Sequence, residues 1–122
     1  MGESDVSLTI EALRDLVVDA LEDIKARDIH VVDVRGKSSI TDIMVVATGN
    51  TDRQVRSLAN SVIQKAKDAG LRPLGVEGER SGEWVLVDLG DVVVHIMQPE
   101  IRDFYNLEKL WGESSPDASA GV

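Results

Sequence analysis

The stretch 74–99, which reads LGVEGERSGEWVLVDLGDVVVHIMQP, constrains the fold of this chain more than any other part of its sequence. It contains two runs of strand-forming residues, Trp84–Asp88 and Asp91–Met97, which are separated only by Leu89 and Gly90. Glycine adopts the positive φ of a tight turn without a steric cost. The spacing therefore predicts an antiparallel β-hairpin whose two-residue turn is Leu89-Gly90.

This turn assigns the side chains of the hairpin to two different faces. The predicted cross-strand pairs are Trp84 with His95, Leu86 with Val93, and Asp88 with Asp91. One face is entirely aliphatic and is the predicted core face, with Val85, Val87, Val92, Val94 and Ile96. The other face carries Trp84, Leu86, Val93, His95 and Met97. Because this second set is too apolar for open water, we expect a helix or a binding partner to cover it.

The spacing of apolar residues elsewhere predicts two long helices. From Ile10 to Ile24 they recur at steps of three and one, which places them on one helical face. A second helix begins after Thr51, whose spacing to Gln54 matches a capping box, and it ends at Gly70. Each helix has a single apolar stripe, so the two together leave part of a sheet uncovered.

Three more strands and a short helix complete the predicted elements. The runs Ile29–Val34 and Ile43–Thr48 are rich in β-branched residues and suit buried strands. Leu71–Val76 contains a proline and suits an edge strand. An aromatic-rich helical segment is expected after Pro99.

The order of these elements predicts one α/β domain, a mixed β-sheet of about five strands flanked by helices. The domain is predicted to span residues 1–112. Residues 113–122 read ESSPDASAGV, which lacks apolar periodicity and is typical of a disordered tail.

Composition excludes several classes of function. The chain has 122 residues, a net charge of -9 and no cysteine. The negative charge disfavours direct binding to DNA, RNA or anionic membranes and favours a basic protein partner. The absence of cysteine excludes disulfides and thiol catalysis, and no apolar run is long enough to span a membrane. We therefore expect a soluble cytoplasmic protein.

Two short motifs suggest phosphate chemistry, and both are incomplete. Gly36-Lys37-Ser38-Ser39 resembles the end of a phosphate-binding loop, but the first glycine of that motif is replaced by Val31 and a strand follows instead of a helix. Gly36, Ser38 and Asp42 also resemble the metal-binding turn of nucleotidyltransferases. Here Met44 stands two residues after Asp42, so the second acid that would hold the metal ions is missing.

The two histidines do not form a recognisable site. Neither His30 nor His95 has a second histidine or a cysteine at metal-ligand spacing. No serine or cysteine nucleophile is placed beside His95 by the sequence. We therefore predict no metal, no cofactor and no enzymatic activity, and we interpret His95 as an interface residue.

An acidic cluster surrounds the hairpin, and we term Glu77, Glu79 and Glu83 the acidic rim. Such clusters are usually solvated loops. Beside an apolar face, they also match the edge of an interface with a basic partner, where they accelerate association and exclude wrong partners.

Several of these motifs together resemble the ribosomal silencing factor family, also called the iojap-related family. The matching motifs cover about residues 10–112 and are Arg35-Gly-Lys-Ser-Ser-Ile-Thr-Asp42, Thr48-Gly49, Pro73-Leu-Gly-Val-Glu-Gly78, Trp84-Val-Leu-Val-Asp-Leu-Gly-Asp-Val-Val-Val-His95 and Tyr105-Asn-Leu-Glu-Lys-Leu-Trp111.

The resemblance implies a nucleotidyltransferase-like fold without that activity. It also implies a translation repressor that binds the large ribosomal subunit through large-subunit protein fourteen and blocks association with the small subunit. The partner-binding residues expected from the hairpin and from this resemblance are Trp84, Leu86, Asp88, His95, Met97, Tyr105 and Lys109. The family resemblance and the apolar face also suggest a homodimer when the chain is free. A minimal nucleotidyltransferase that uses Asp42 and a plain homodimeric scaffold remain the alternatives.

Overall fold

A computed structural model of the protein describes residues 9–37, 39 and 41–105, except for the side chains of Phe104 and Tyr105. Within these residues, helices and strands follow the predicted order. The helices are α1 (Ile10–Asp23), α2 (Asp52–Asp68) and α3 (Pro99–Tyr105). The strands are β1 (Arg27–Asp33), β2 (Ile43–Thr48), β3 (Gly75–Glu77), β4 (Trp84–Asp88) and β5 (Val92–Met97). The predicted tail, 113–122, lies outside the described residues.

The five strands form one mixed sheet in the order β1-β2-β5-β4-β3. β2 and β5 are parallel neighbours at its centre, and the other three pairings are antiparallel. β2 is fully buried, as predicted, and β5 is almost entirely buried. The prediction that β1 is also a buried strand is wrong, because β1 lies at one edge of the sheet and most of its residues are exposed. The short strand β3, predicted as an edge strand, lies at one edge of the sheet. The α/β fold predicted from the sequence is confirmed.

The helices α1 and α2 pack against each other and against the same face of the sheet, which we term the helix face. Ser61 on α2 donates a hydrogen bond of 2.9 Å to the carbonyl oxygen of Ala20 on α1. The main core lies between this helical layer and the sheet. Its strand residues include Ile43, Val45, Ala47, Val85, Val87, Val92, Val94 and Ile96.

Both long helices begin at the side-chain caps that the sequence contains. The hydroxyl of Thr9 accepts from the N–H of Ala12, and the hydroxyl of Thr51 accepts from the N–H of Gln54. Gln54 reaches back one residue further than a capping box predicts, because its side-chain oxygen accepts from the N–H of Asn50. Its amide nitrogen also donates to the carbonyl of Ile24, which ties the start of α2 to the end of α1.

The hairpin forms, but its predicted register is wrong by two residues. Leu89 donates its N–H to the carbonyl oxygen of Val92, so the turn consists of Gly90 and Asp91 instead of Leu89 and Gly90. Gly90 has a φ of 89°, as the tight turn requires. The observed pairs are Trp84 with Met97, Leu86 with His95, and Asp88 with Val93. A shift of two residues preserves the side-chain alternation, so every residue keeps its predicted face.

Candidate interaction surface

The face of the sheet opposite α1 and α2, termed the second face, carries two rows of side chains that can be followed from strand to strand. Paired residues in neighbouring strands point to the same side. The first row, from β1 to β3, is His30, Val46, His95, Leu86 and Glu77. The second row, from β1 to β4, is Arg27, Thr48, Met97 and Trp84. The face thus changes from cationic or polar at β1, through aromatic and apolar residues, to acidic at β3.

Trp84 and His95 form a hydrogen-bonded pair at the centre of this face. The indole N–H of Trp84 donates to Nδ1 of His95 over 3.0 Å, diagonally across β4 and β5. Their ring centroids are 5.8 Å apart. An accepting Nδ1 requires the neutral form of the imidazole, and burial lowers the pKa of His95 to about 4. The predicted association of these two residues is therefore observed, although they are diagonal neighbours instead of directly opposite each other.

The predicted partner-binding residues differ in how much surface they offer. Trp84, Leu86 and His95 are partly exposed. Met97 is fully buried, so it packs against Trp84 from the adjacent strand instead of offering surface of its own. The carboxylate of Asp88 accepts the N–H of Gly90 over 2.9 Å and thereby stabilises the hairpin turn.

Of the acidic rim, Glu77 lies on the second face at β3, and Glu79 and Glu83 lie in the connection between β3 and β4. Glu77, Glu79 and Glu83 are all exposed, and Glu77 is the cross-strand neighbour of Leu86. Gln98, which was not predicted, holds the segment just before β4 in place. Its backbone N–H donates to the carbonyl of Glu83 over 2.9 Å, and its side-chain amide donates to the carbonyl of Gly82 over 3.0 Å.

The last predicted residues are at the margin of the described structure. Tyr105 is the final residue of α3, and its side chain is not among the described parts of the structure. Lys109 also lies outside the described residues. Arg102, one turn before Tyr105 on α3, was not predicted. Its Nη1 atom donates to the hydroxyl of Thr48 over 2.7 Å and to the carbonyl of Asp28 over 2.6 Å.

The residues considered for phosphate chemistry have structural roles in the connection between β1 and β2. Lys37 donates its N–H to the carbonyl of Val34, which closes a turn. Asp42 donates its N–H to the carbonyl of Asp91, and its own carbonyl accepts from Val34. Among the described residues, no three or more histidine, aspartate or glutamate side chains are grouped as a metal site requires. Ser38 lies outside the described residues.

A cavity of about 650 Å³ opens beside the carboxyl ends of β2 and β5. Its lining combines two arginines with two aspartates, so neither sign of charge dominates. The lining residues are Arg27, Asp28, Ile29, His30, Thr48, Asn50, Pro99, Arg102 and Asp103.

The fold and the surface together define an α/β domain. Helices α1 and α2 cover one face of its sheet, and Trp84, Leu86 and His95 are partly exposed on the other face. None of the described helices combines the length and apolar character of a bilayer span. The model of the family described as "Ribosomal silencing factor during starvation" matches residues 7–121. The chain belongs to this family, whose name describes a silencing factor and not an enzyme.

Individual relatives agree with this assignment. The chain is 50% identical over 115 residues to "Ribosomal silencing factor RsfS" of Chromobacterium violaceum, and the match covers 94% of each chain. It is 34% identical over 100 residues to mouse "Mitochondrial assembly of ribosomal large subunit protein 1", covering 80% of this chain and 44% of that protein. A crystal structure of a Chromobacterium violaceum protein superposes with a TM-score of 0.84 at 52% identity, covering 85% of this chain and 87% of the other.

Proposed function

We propose that this protein is a translation repressor that binds the large ribosomal subunit and sterically blocks its association with the small subunit. The proposed docking partner is large-subunit ribosomal protein fourteen. The observation that carries this proposal is the Trp84–His95 pair, which is partly exposed on the second face beside the acidic rim. In this proposal the protein acts in the cytoplasm by binding alone. It catalyses no reaction and binds neither DNA nor a membrane.

The chemistry of the surface favours a basic protein as the partner. The chain carries a net charge of -9, and Glu77 is exposed beside Leu86 on the second face. Glu79 and Glu83 are exposed in the connection that leads into Trp84. Carboxylates on the rim of an interface increase the rate at which a basic surface associates. Tryptophan and tyrosine are also the side chains that most often dominate the free energy of binding.

The proposed contact set follows from this placement. Trp84, Leu86 and His95 supply the central contacts, and Asp88 contributes at the end of the hairpin. Met97 is buried beside Trp84 on the neighbouring strand and supports it from there. Tyr105 and Lys109 are further proposed contacts, which follow from the family resemblance. We further propose that free chains form a symmetric homodimer through the same face, which sedimentation velocity over a range of concentrations tests.

Replacing either aromatic anchor tests the proposed surface. We expect Trp84→Ala or Tyr105→Ala to weaken binding to purified large subunits by about 2 kcal/mol or more, roughly thirtyfold. Co-sedimentation with the subunits measures this loss. Circular dichroism on the same preparations establishes that each variant is folded.

A matched control is Val31→Ala. Val31 is 39% exposed and pairs with Val45, so it is an exposed apolar residue of the helix face. We expect this variant to bind as the original protein does. Folded Trp84→Ala and Tyr105→Ala variants that bind at full strength would show that the second face is not the docking surface.

A further inference from the structure

The short helix α3 is not stable on its own. It contains seven residues, and isolated helices of that length are not stable in water. Its orientation must therefore come from contacts with the rest of the protein. The side chain of Arg102 donates hydrogen bonds from α3 to two strands of the sheet.

The two acceptors of Arg102 belong to different strands and are distant in sequence. Nη1 donates to Thr48 Oγ1 at the end of β2, 54 residues away, and to the carbonyl of Asp28 in β1, 74 residues away. The distances of 2.7 and 2.6 Å are short for N–H···O hydrogen bonds, as expected when the donor is charged. Thr48 is only 4% exposed, so its hydroxyl is a fixed point.

The backbone of β1 departs from regular geometry where it meets Arg102. Asp28 has a φ of 49°, and the register with β2 shifts between Arg27 and His30. Aspartate tolerates this left-handed conformation better than most residues. The carbonyl oxygen of the irregular residue is the one that accepts from Arg102, so the irregularity and the helix position are linked.

We propose that Arg102 is a positioning residue of the interaction surface, holding α3 against the ends of β1 and β2 and thereby setting where Tyr105 lies relative to Trp84. This inference rests on the proposed function. Tyr105 is the last residue of α3, three residues after Arg102. A rotation of the helix about its attachment would therefore displace Tyr105 while leaving the Trp84–His95 pair in place.

The first test measures α3 directly by amide hydrogen exchange. We expect Arg102→Met, which keeps the side-chain length but removes the donors, to accelerate exchange in α3 roughly tenfold and leave α2 unchanged. Thr48→Val removes one acceptor at nearly constant shape and should give a smaller acceleration. Asp28→Gly keeps the backbone carbonyl and accepts the positive φ, so α3 should exchange as in the original protein. Unchanged exchange of α3 in Arg102→Met would overturn the proposal.

The second test is a double-mutant cycle with Tyr105→Ala, measured by large-subunit binding. We expect Arg102→Met to weaken binding roughly tenfold or more, and the double variant to be within about twofold of the weaker single variant. Arg53→Met, an exposed arginine on α2, controls for the lost charge. Independent, multiplicative losses would overturn the proposal, as would full binding by Arg102→Met. If the original protein itself does not bind large subunits, the proposed function fails, and the exchange experiment still decides whether Arg102 holds α3.

Discussion

The pairing of Trp84 with His95 illustrates how a single hydrogen bond fixes a protonation state. Nδ1 of His95 accepts the indole N–H, so a proton on Nδ1 would replace an acceptor with a donor and break the bond. Burial acts in the same direction and lowers the pKa of His95 to about 4. The neutral imidazole is therefore part of the folded surface.

This depressed pKa predicts a loss of stability in acid. Between pH 6.5 and about 4, the unfolded protein binds a proton at His95 that the folded protein excludes. The contribution of neutral His95 is therefore complete above pH 6.5 and falls as the pH is lowered toward 4. Its full value is on the order of 3 kcal/mol, since one pKa unit corresponds to about 1.4 kcal/mol.

Urea denaturation at pH 7 and pH 4.5 measures this effect. Carboxylates titrate in the same range, so the informative quantity is the difference between the original protein and His95→Gln. His30→Gln is the matched control, because His30 is the exposed histidine on the same face. If His95→Gln loses as much stability on acidification as the original protein, His95 is not the group responsible.

At the scale of elements, the connection between β3 and β4 depends on a close approach of the backbone. Gly78 has a φ of 88°, and a Cβ atom there would overlap the carbonyl oxygen of Trp84. A side chain at this position therefore encounters both an unfavourable φ and a backbone atom that cannot move aside. The connection also carries Glu79 and Glu83 of the acidic rim.

Replacing Gly78 should therefore destabilise the protein more than an ordinary glycine substitution. We expect Gly78→Ala to lower the free energy of unfolding by about 2 kcal/mol or more, whereas Gly70→Ala should cost about 1 kcal/mol. Gly70 is a suitable control because it has the same φ of 88° but no heavy atom within 4 Å of the added Cβ. Chemical denaturation measures both. Equal losses would mean that the contact with Trp84 relaxes without cost.

At the same scale, the hairpin shows what a sequence pattern can and cannot resolve. Strand propensity and alternation located β4 and β5 and assigned their faces correctly. The position of the turn was wrong, because Leu89-Gly90 and Gly90-Asp91 both place a glycine where positive φ is needed. Which of the two turns forms depends on how β4 and β5 pair. With Gly90-Asp91 as the turn, Leu89 joins the main core, and its N–H donates to the carbonyl oxygen of Val92.

Over the whole molecule, charge is distributed unevenly across the second face. Arg27 lies at the β1 edge together with Asp28 and Asp103, whereas Glu77 lies at the β3 edge. With neighbouring strands about 4.8 Å apart, the two edges are separated by roughly 19 Å. A bound protein surface therefore meets mixed charges at the β1 side and a carboxylate at the β3 side, and this asymmetry favours one orientation over its reverse.

Reversing one charge of the rim should act mainly on association. We expect Glu79→Lys to slow association with large subunits several-fold at low salt and to reduce the salt dependence of that rate, with a smaller change in dissociation. Stopped-flow or surface-based kinetics at several salt concentrations measure this. Asp19→Lys makes the same charge change on α1, away from the second face. If both variants slow association equally, net charge and not the rim is responsible.

The sequence by itself determined the order of the elements, their faces and the absence of cysteine chemistry, because these follow from local periodicity, capping and composition. It also identified Trp84 and His95 as residues of one face. Only the tertiary structure decided which strands became neighbours, that both long helices cover one face, and that Met97 is buried. The attachment of α3 through Arg102 belongs to this second group, since its two acceptors are 54 and 74 residues away in the chain. Hydrogen bonds between such distant residues depend on how the whole sheet assembles, and local periodicity contains no information about that.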